Sequence, residues 1–495
     1  MNNQKNYFFR KSFMLLLSRT FFLITVLLIL TPNMGVCGTQ YLSNSWGLIQ
    51  ATSFNSVQLT QLLPSSKEKL VTLPKNLEFE RAANIDHDNN RDLKPFNEKR
   101  FLVPPAPPVE PGVPRIAILL PLTGQHAKLG QAMLNAAQLA LFHFADKQFE
   151  LLPQDTRGTE SGALDAAALA IGDGASLILG PLFAGSVAAV APAARAAGIK
   201  VIAFSNDRKV AGDGVFIMGF LPQEQVRRVV TYAIKQGVRR FAVLAPDNDY
   251  GLTIASALKQ TTDKNGIEII KQAFYDPQVT DFHPVIKNLA NYDERRRILL
   301  DERRLLAERN DEVAKLALKR LENLQTMGDV SFEALLIADG GKTLKSIAAL
   351  LPYYDIDPKK IRMLGTGYWD IAGIGSEPAL VGGWFAAPSP EGRRAFIDQY
   401  ELIYGARPPR LATLAYDATA LAAVFAQSDE MALGEPTRSL YKLSEITAPQ
   451  GFQGLDGIFR FVPAGFVERG LSVFQVGRRN IKIISQAPLI WGGGN

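Results

Sequence analysis

Two α/β lobes joined by a hinge, with one charged helical insert, form the architecture this sequence predicts. Three observations predict it. A unit of apolar strand, polar Gly/Pro-rich corner and Ala-rich helix recurs from Arg115 to Asp370. Two segments, Leu221–Pro222 inside that stretch and Gly383–Pro390 beyond it, have the look of chain crossings. A third segment, 291–328, breaks the pattern altogether.

The recurring strands are RIAILLPLTG from Arg115, FELLPQDTRG from Phe149, SLILGPLFAG from Ser176 and KVIAFSND from Lys200. RFAVLAPDNDYG from Arg240, EALLIADGG from Glu333 and IRMLGTGYWD from Ile361 continue the series. Strands alternating with helices build an open, largely parallel sheet with helices on both faces. Ligands bind such sheets outside the C-terminal ends of the strands. Those ends carry Thr123, Gly124, Ser186, Ser205, Asp207, Asp249, Tyr250 and Asp339.

Three segments flank or interrupt this body. Residues 1–37 read as a targeting segment. Lys5, Arg10, Lys11 and Arg19 precede the apolar run Thr20–Leu30, which has signal-peptide length and is short for a bilayer span. Cys37, the single cysteine, follows it, so no internal disulfide can form. A cysteine there marks either a lipid attachment site or an ordinary cleavage region, and both readings stay open. Residues 38–114 read as disordered and then Pro-rich, with six prolines between Pro104 and Pro114 acting as a semi-rigid spacer.

The folded body is expected over 115–490. Lobe 1 takes 115–220 and 388–450, and lobe 2 takes 221–387 and 451–490. Between Asn291 and Met327 there is no Gly or Pro, but there are nine Lys/Arg and eight Asp/Glu. That composition predicts one long helix, or two broken near Asn310–Asp311. Its apolar stripe is Leu299, Leu306, Val313, Leu316 and Leu324.

Charge and motifs exclude several functions. The net charge of +6 is spread among acids, without the basic and aromatic clustering of a nucleic-acid binder. His87, His126, His143 and His283 are scattered and have no ligand spacing, so no metal is expected. No nucleophile elbow, P-loop or dinucleotide fingerprint occurs. Asp155 and Asp339 sit at strand ends where acid/base work is done, but without identified partners they read as turn and cap residues. A non-catalytic protein without cofactor is expected. Binding chemistry is better supported: Ala184, Gly185 and Ser186 open a helix whose free N–H groups suit an anion, and Tyr250 is placed to cover a ligand.

RIAILLPLTGQHAKLGQAMLNAAQLAL, ILGPLFAGSVAAVAPAARAAGIKVIAFSND and FAVLAPDNDYG resemble the type I periplasmic binding-protein fold in its leucine-binding branch, two Rossmann-like lobes about a hinge. EALLIADGGKTLKSIAALLPYYDIDPKKIRMLGTGYWD and the charged insert resemble the α-proteobacterial penicillin-binding-protein activators. That resemblance implies a periplasmic regulator of peptidoglycan synthases on a lipid anchor. The leucine-binding resemblance implies instead a receptor for an amino-acid ABC permease, and a cleft enzyme acting on cell-wall fragments is a third class. The family's carboxylate-holding serine falls at Ala184, its first-loop aromatic at Leu129 and its next strand end at Ser205-Asn206-Asp207. Among the family's ligand positions only the one at Tyr250 matches well. The expected ligand contacts are therefore Ala184, Gly185, Ser186, Ser205, Asp207, Tyr250 and Asp339, with Cys37 for lipid.

The anchor is directly testable. Acylation of Cys37 predicts that Cys37→Ala loses fatty-acid labelling and leaves the membrane fraction, since even one chain contributes to retention. Ordinary cleavage predicts no change in either measurement.

Overall fold

The structure is a computed structural model that describes residues 114–144, 149–309, 311–428 and 441–491. The expected targeting segment with Cys37, and the spacer up to residue 113, lie outside the described residues.

The first sheet is built from β1 (Arg115–Leu120), β2 (Glu150–Asp155), β3 (Leu177–Leu179), β4 (Lys200–Ala203) and β5 (Val215–Ile217). Its order is β2-β1-β3-β4-β5, parallel throughout. Three helices alternate with these strands: α1 (Ala127–Phe144), α2 (Glu160–Gly172) and α3 (Ala184–Ala196). The chain then crosses to α4 (Pro222–Lys235) and the second sheet, formed by β6 (Phe241–Pro246), β7 (Ile269–Tyr275), β8 (Ala334–Ile337), β9 (Arg362–Gly365) and β10 (Trp384–Ala387). Helix α5 (Asp249–Asp263) links β6 to β7, and α6 (His283–Leu289), α7 (Tyr292–Arg309) and α8 (Glu312–Leu321) lie between β7 and β8. Helix α9 (Gly341–Leu350) follows β8.

Beyond Ala387 the chain returns to the first lobe as α10 (Glu391–Tyr404) and α11 (Ala412–Ser428). Phe396 and Tyr400 of α10 pack with Ala136 and Leu139 of α1. After the short α12 (Leu443–Ile446) comes a three-stranded meander, β11 (Phe452–Gly454), β12 (Gly457–Phe461) and β13 (Val467–Arg469). Strands β14 (Ser472–Val476) and β15 (Ile481–Ser485) then complete the second sheet, β15-β14-β10-β9-β8-β6-β7.

The meander corrects one expectation. The sequence pattern places residues 451–490 in lobe 2, yet Phe459, Phe461 and Val467 belong to the first lobe's core, and Ile217 N–H donates to Gly465 O at 2.7 Å. Only β14 and β15 go to lobe 2. The reason is a third crossing at Gly470–Leu471, which no Pro/Gly cluster advertises.

Period-two burial explains the second sheet. Ala242, Leu244, Leu335 and Ile337 face one apolar layer, while Phe241, Val243, Leu336 and Ala338 face the other. With helices on both faces the central strands must be apolar on both sides, and β6 is buried at every residue.

The corners share one device. Gly130 of α1, Gly162 of α2 and Gly251 of α5 sit against the carbonyl oxygens of Pro121, Thr156 and Pro246, the residues that end or follow the preceding strands. A Cβ at any of the three would overlap that oxygen. The missing side chain lets each helix close onto its strand end and sets the loop between them.

The insert is a helical hairpin. Asp311 accepts the Ala314 N–H at 2.8 Å and starts α8. Arg303 of α7 donates to Leu321, Glu322 and Leu324 carbonyls, closing the end of α8. The heptad stripe does not survive this reversal. Leu299 and Leu306 are buried, whereas Val313 and Leu316 are 69% and 62% exposed and Ala314 takes the inner position. At the base, buried Arg295 donates to Thr326 Oγ1 and Gly328 O at 2.6 and 2.5 Å.

Gly251→Ala is expected to lower stability by about 1–3 kcal/mol, the range for forced overpacking. Denaturant unfolding of both proteins measures it. A loss below about 0.5 kcal/mol would show that α5 tolerates a shift at this corner.

Candidate functional site

The strand ends of both sheets face a common cleft with a cavity of about 730 Å³. Lobe 1 contributes Leu129, Phe183, Phe204 and Ser205, and lobe 2 contributes Gln225, Tyr250, Asp339 and Tyr368. Phe220, at the first crossing, and Arg410 also line it.

Tyr250 is held by its neighbours. Asn248 caps α5 through Gly251 N–H at 3.0 Å, so Tyr250 enters on the first turn. Its ring stacks on Tyr368 at 5.0 Å with 28° between the planes, and its hydroxyl is 3.0 Å from Thr366 Oγ1. Burial pushes the Tyr250 phenol upward; the Thr366 hydrogen bond opposes this, and the nearby Tyr368 and Asp339 add to it. Tyr368 rides on a 3₁₀ turn whose Trp369 is fully buried against Gly365. The Trp369 indole N–H donates to Asp339 O at 3.2 Å. Asp339 accepts Gly340 N–H at 2.7 Å and the Tyr275 hydroxyl. Burial, then that bond to Asp339, raises Tyr275 as well. Both phenols therefore stay neutral and cannot act as bases near neutral pH.

Three expected residues, Ser205, Tyr250 and Asp339, come together in the cleft. Ala184, Gly185, Ser186 and Asp207 do not line it. The start of α3 is turned onto α2: Ser186 Oγ donates to Thr159 O at 3.3 Å, and a Cβ on Gly185 would overlap the Glu160 carboxylate. The protein's own acid thus lies where an anion was expected. Asp207 caps a 3₁₀ turn by accepting Lys209 N–H at 2.9 Å. Asp155 ties down the first loop through Thr123 Oγ1 at 2.6 Å and Leu122 N at 2.8 Å. Burial alone would raise the Asp155 pKa, but these bonds and the Arg157 and Thr123 N–H groups outweigh it and hold it low. Phe183, Phe204 and Gln225 were missed because each reads locally as core or helix start; only the pairing of two lobes turns them toward one space.

Ion pairs join the lobes on either side of the cleft. Arg208 meets Glu224 at 2.7 Å, and Arg393 meets Asp370 at 3.2 Å. Behind the second pair lies a buried cluster. Asp456, fully buried, takes Arg410 at 2.8 Å and Thr413 Oγ1 at 2.6 Å, with Arg393 at 3.9 Å. Arg469 donates to Met218 O at 2.8 Å, tying the third crossing to the first. Phe220 lies between the Arg410 and Arg469 guanidiniums, 4.2 and 5.2 Å from its centroid. Asp417 accepts Leu455 N–H at 2.8 Å. Burial and then the Asp456 charge push its carboxyl up to about 7.

Residues 114–479 match the family model described as periplasmic binding protein, and the chain belongs to that family. Among solved structures it is similar to a Rhodospirillum rubrum protein ascribed to branched-chain amino acid ABC transport, with TM-score 0.59 and 18% identity over 75% of this chain and 100% of that one. An ABC transporter substrate-binding protein from Sphaerobacter thermophilus gives TM-score 0.57 and 18% identity over 75% and 96%. A Rhodopseudomonas palustris solute-binding protein in complex with 3,4-dihydroxybenzoic acid gives 0.52 and 17% over 76% and 96%. These likenesses establish the fold alone.

Two curated sequences are similar over shorter stretches. Uncharacterized protein RP748 of Rickettsia prowazekii is 22% identical over 256 residues, 52% of this chain and 61% of that protein. Penicillin-binding protein activator LpoA of Vibrio cholerae is 27% identical over 149 residues, 29% of this chain and 24% of that protein. The family is described as periplasmic, and among the described residues no helix is long and apolar enough to cross a membrane.

The raised Asp417 pKa sets a pH dependence. The folded state keeps a proton that the unfolded chain releases near 3.8. Stability from this group is present below that value and is lost as pH rises toward about 7. Asp417→Asn should remove that slope, making the variant the more stable protein above pH 7. Melting curves between pH 5 and 8 that run parallel for both proteins would contradict this.

Proposed function

We propose that this chain is an exported, non-catalytic binding protein that closes two lobes on a small ligand and reports that closure to an envelope partner. The cleft carries the reading. It is lined by both lobes, its aromatic stack is held from behind by Thr366 and Trp369, and ion pairs join the lobes beside it. Ser205, Tyr250 and Asp339 are the sequence-derived contacts that fit it. The buried neutral phenols are suited to packing and hydrogen bonding rather than to proton transfer.

The proposed partner is a penicillin-binding protein, so that the chain regulates peptidoglycan synthesis. The α7–α8 hairpin supports this. It is not needed to complete the sheet, and Ile298, Leu300, Leu305, Val313 and Leu316 are each 45–69% exposed on it. The partial likeness to LpoA supports it as well. A receptor for an amino-acid ABC permease is the second reading, favoured by the ligand-sized cleft and the transport proteins that share the fold. Export, and lipid attachment at Cys37, rest on the N-terminal sequence.

Replacing 291–328 by a short Gly/Ser loop separates these outputs. The regulator reading expects a folded protein that no longer retains a purified penicillin-binding protein in a pull-down. Equal recovery by intact and deleted chains removes the arm as docking surface. Micromolar calorimetric binding of leucine, isoleucine or valine, lost in Tyr250→Ala, restores the importer.

A further inference from the structure

We propose that the cleft selects a ring-bearing organic cation, an amine or ammonium whose charge lies against Asp339 while its body is covered by Tyr250, Tyr368 and the aromatic faces of the first lobe. This rests on the reading of the cleft as a ligand site and names the chemical class that site takes.

The charges lining the cleft are Arg410, Asp370 and Asp339. Two of them are already answered. Arg410 is held by Asp456 at 2.8 and 3.0 Å and by Thr413 at 3.0 Å, and its guanidinium lies over Phe220. A ligand carboxylate would have to compete with a fully buried aspartate for that cation. Asp370 is paired with Arg393. Asp339 differs: its bonding partners are neutral donors, the Tyr275 hydroxyl and the Gly340 N–H, and among the described residues it enters no ion pair. An ionised carboxylate has roughly four acceptor sites, so two neutral donors leave room for a third.

The feature that would invite an anion is the amino end of α9 beside Gly340 and Gly341. There the Gly340 N–H already points at Asp339. An anionic ligand would meet the Asp339 charge as a like charge, whereas a cation would meet an opposite one.

The walls agree with that sign. Phe183, Phe204, Phe220, Tyr250 and Tyr368 all line the cavity. Aromatic faces attract cations through their quadrupole, more strongly when water is excluded. Ser205 and Gln225 add neutral polar groups to the same wall. The combination of several aromatic rings, one carboxylate without a counter-ion and, among the described residues, no free cation differs from what a free carboxylic acid needs.

Calorimetry of the purified full chain with three molecules of one skeleton tests the charge: tyramine, tyrosol and 3-(4-hydroxyphenyl)propanoate, which are cationic, neutral and anionic. Tyramine is expected to bind at least tenfold more tightly than tyrosol, and the propanoate more weakly than either. Asp339→Asn should bring tyramine down to the affinity of tyrosol and leave tyrosol unchanged. The wild-type series stands without any variant. Propanoate binding as tightly as tyramine, a preference for tyramine that persists in Asp339→Asn, or no binding by any of the three overturns the charge assignment. Propanoate binding as tight as that of tyramine, and lost in Tyr250→Ala, overturns only the charge and keeps the cleft as ligand site. Binding of any of the three that Tyr250→Ala leaves intact places the ligand elsewhere and overturns both readings.

Discussion

Asp456 is the charge on which the relation of the two lobes depends. It is fully buried, and leaving a buried carboxylate unpaired would be strongly destabilising. It therefore requires Arg410, Thr413 and, more distantly, Arg393. The two arginines each serve a second purpose. Arg410 presents its guanidinium to Phe220 at the first crossing. Arg393 reaches Asp370 across the cleft at the second. Arg469, also near this cluster, holds the third crossing to Met218. The requirement of one buried acid thus organises all three strands of chain that join the lobes.

The cleft inherits its order from this frame and from a second one inside lobe 2. Trp369 fills the space over Gly365 and donates to the Asp339 backbone, so the Tyr368 loop and the β8 end are packed as one piece. Tyr250 then stacks on Tyr368 and is fixed by Thr366. Rigid aromatic side chains in such a setting offer large contact area with little rotamer freedom left to lose. The lobe 1 wall is plainer, with Phe183 leading into α3 and Phe204 following β4. In the proposed function, closure of lobe 1 onto the lobe 2 platform is the mechanical event a partner would sense.

The hairpin between β7 and β8 illustrates how a surface element gains a defined direction. Its many exposed ion pairs contribute little individually. Orientation comes instead from Arg295 at the base and from Arg303 closing the end of α8. What remains outward is an apolar face on otherwise charged helices, which suits a contact made outside the lobes rather than support for the sheet.

Much of this was legible in the sequence, for local reasons. Apolar runs bounded by Gly and Pro marked β1, β3, β4, β6, β8 and β9, because strands buried on both faces must be continuous apolar segments. Asn310–Asp311 marked the break in the insert, because Asp at an N-cap satisfies helix N–H groups wherever it stands. Tyr250 and Asp339 were readable from their positions at strand ends. The rest depended on contacts between residues far apart in the chain. The meander's allegiance to lobe 1 is decided by Phe459 and Phe461 packing under β5, which no periodicity records. The start of α3 has the residues of an anion site, yet Glu160 from another helix lies against it. Arg410 looks like a free cation until Asp456, 46 residues later, neutralises it. Local chemistry set the elements and the row of candidate positions; only long-range packing and charge pairing decided which of those positions line the cleft and which of their charges are already paired.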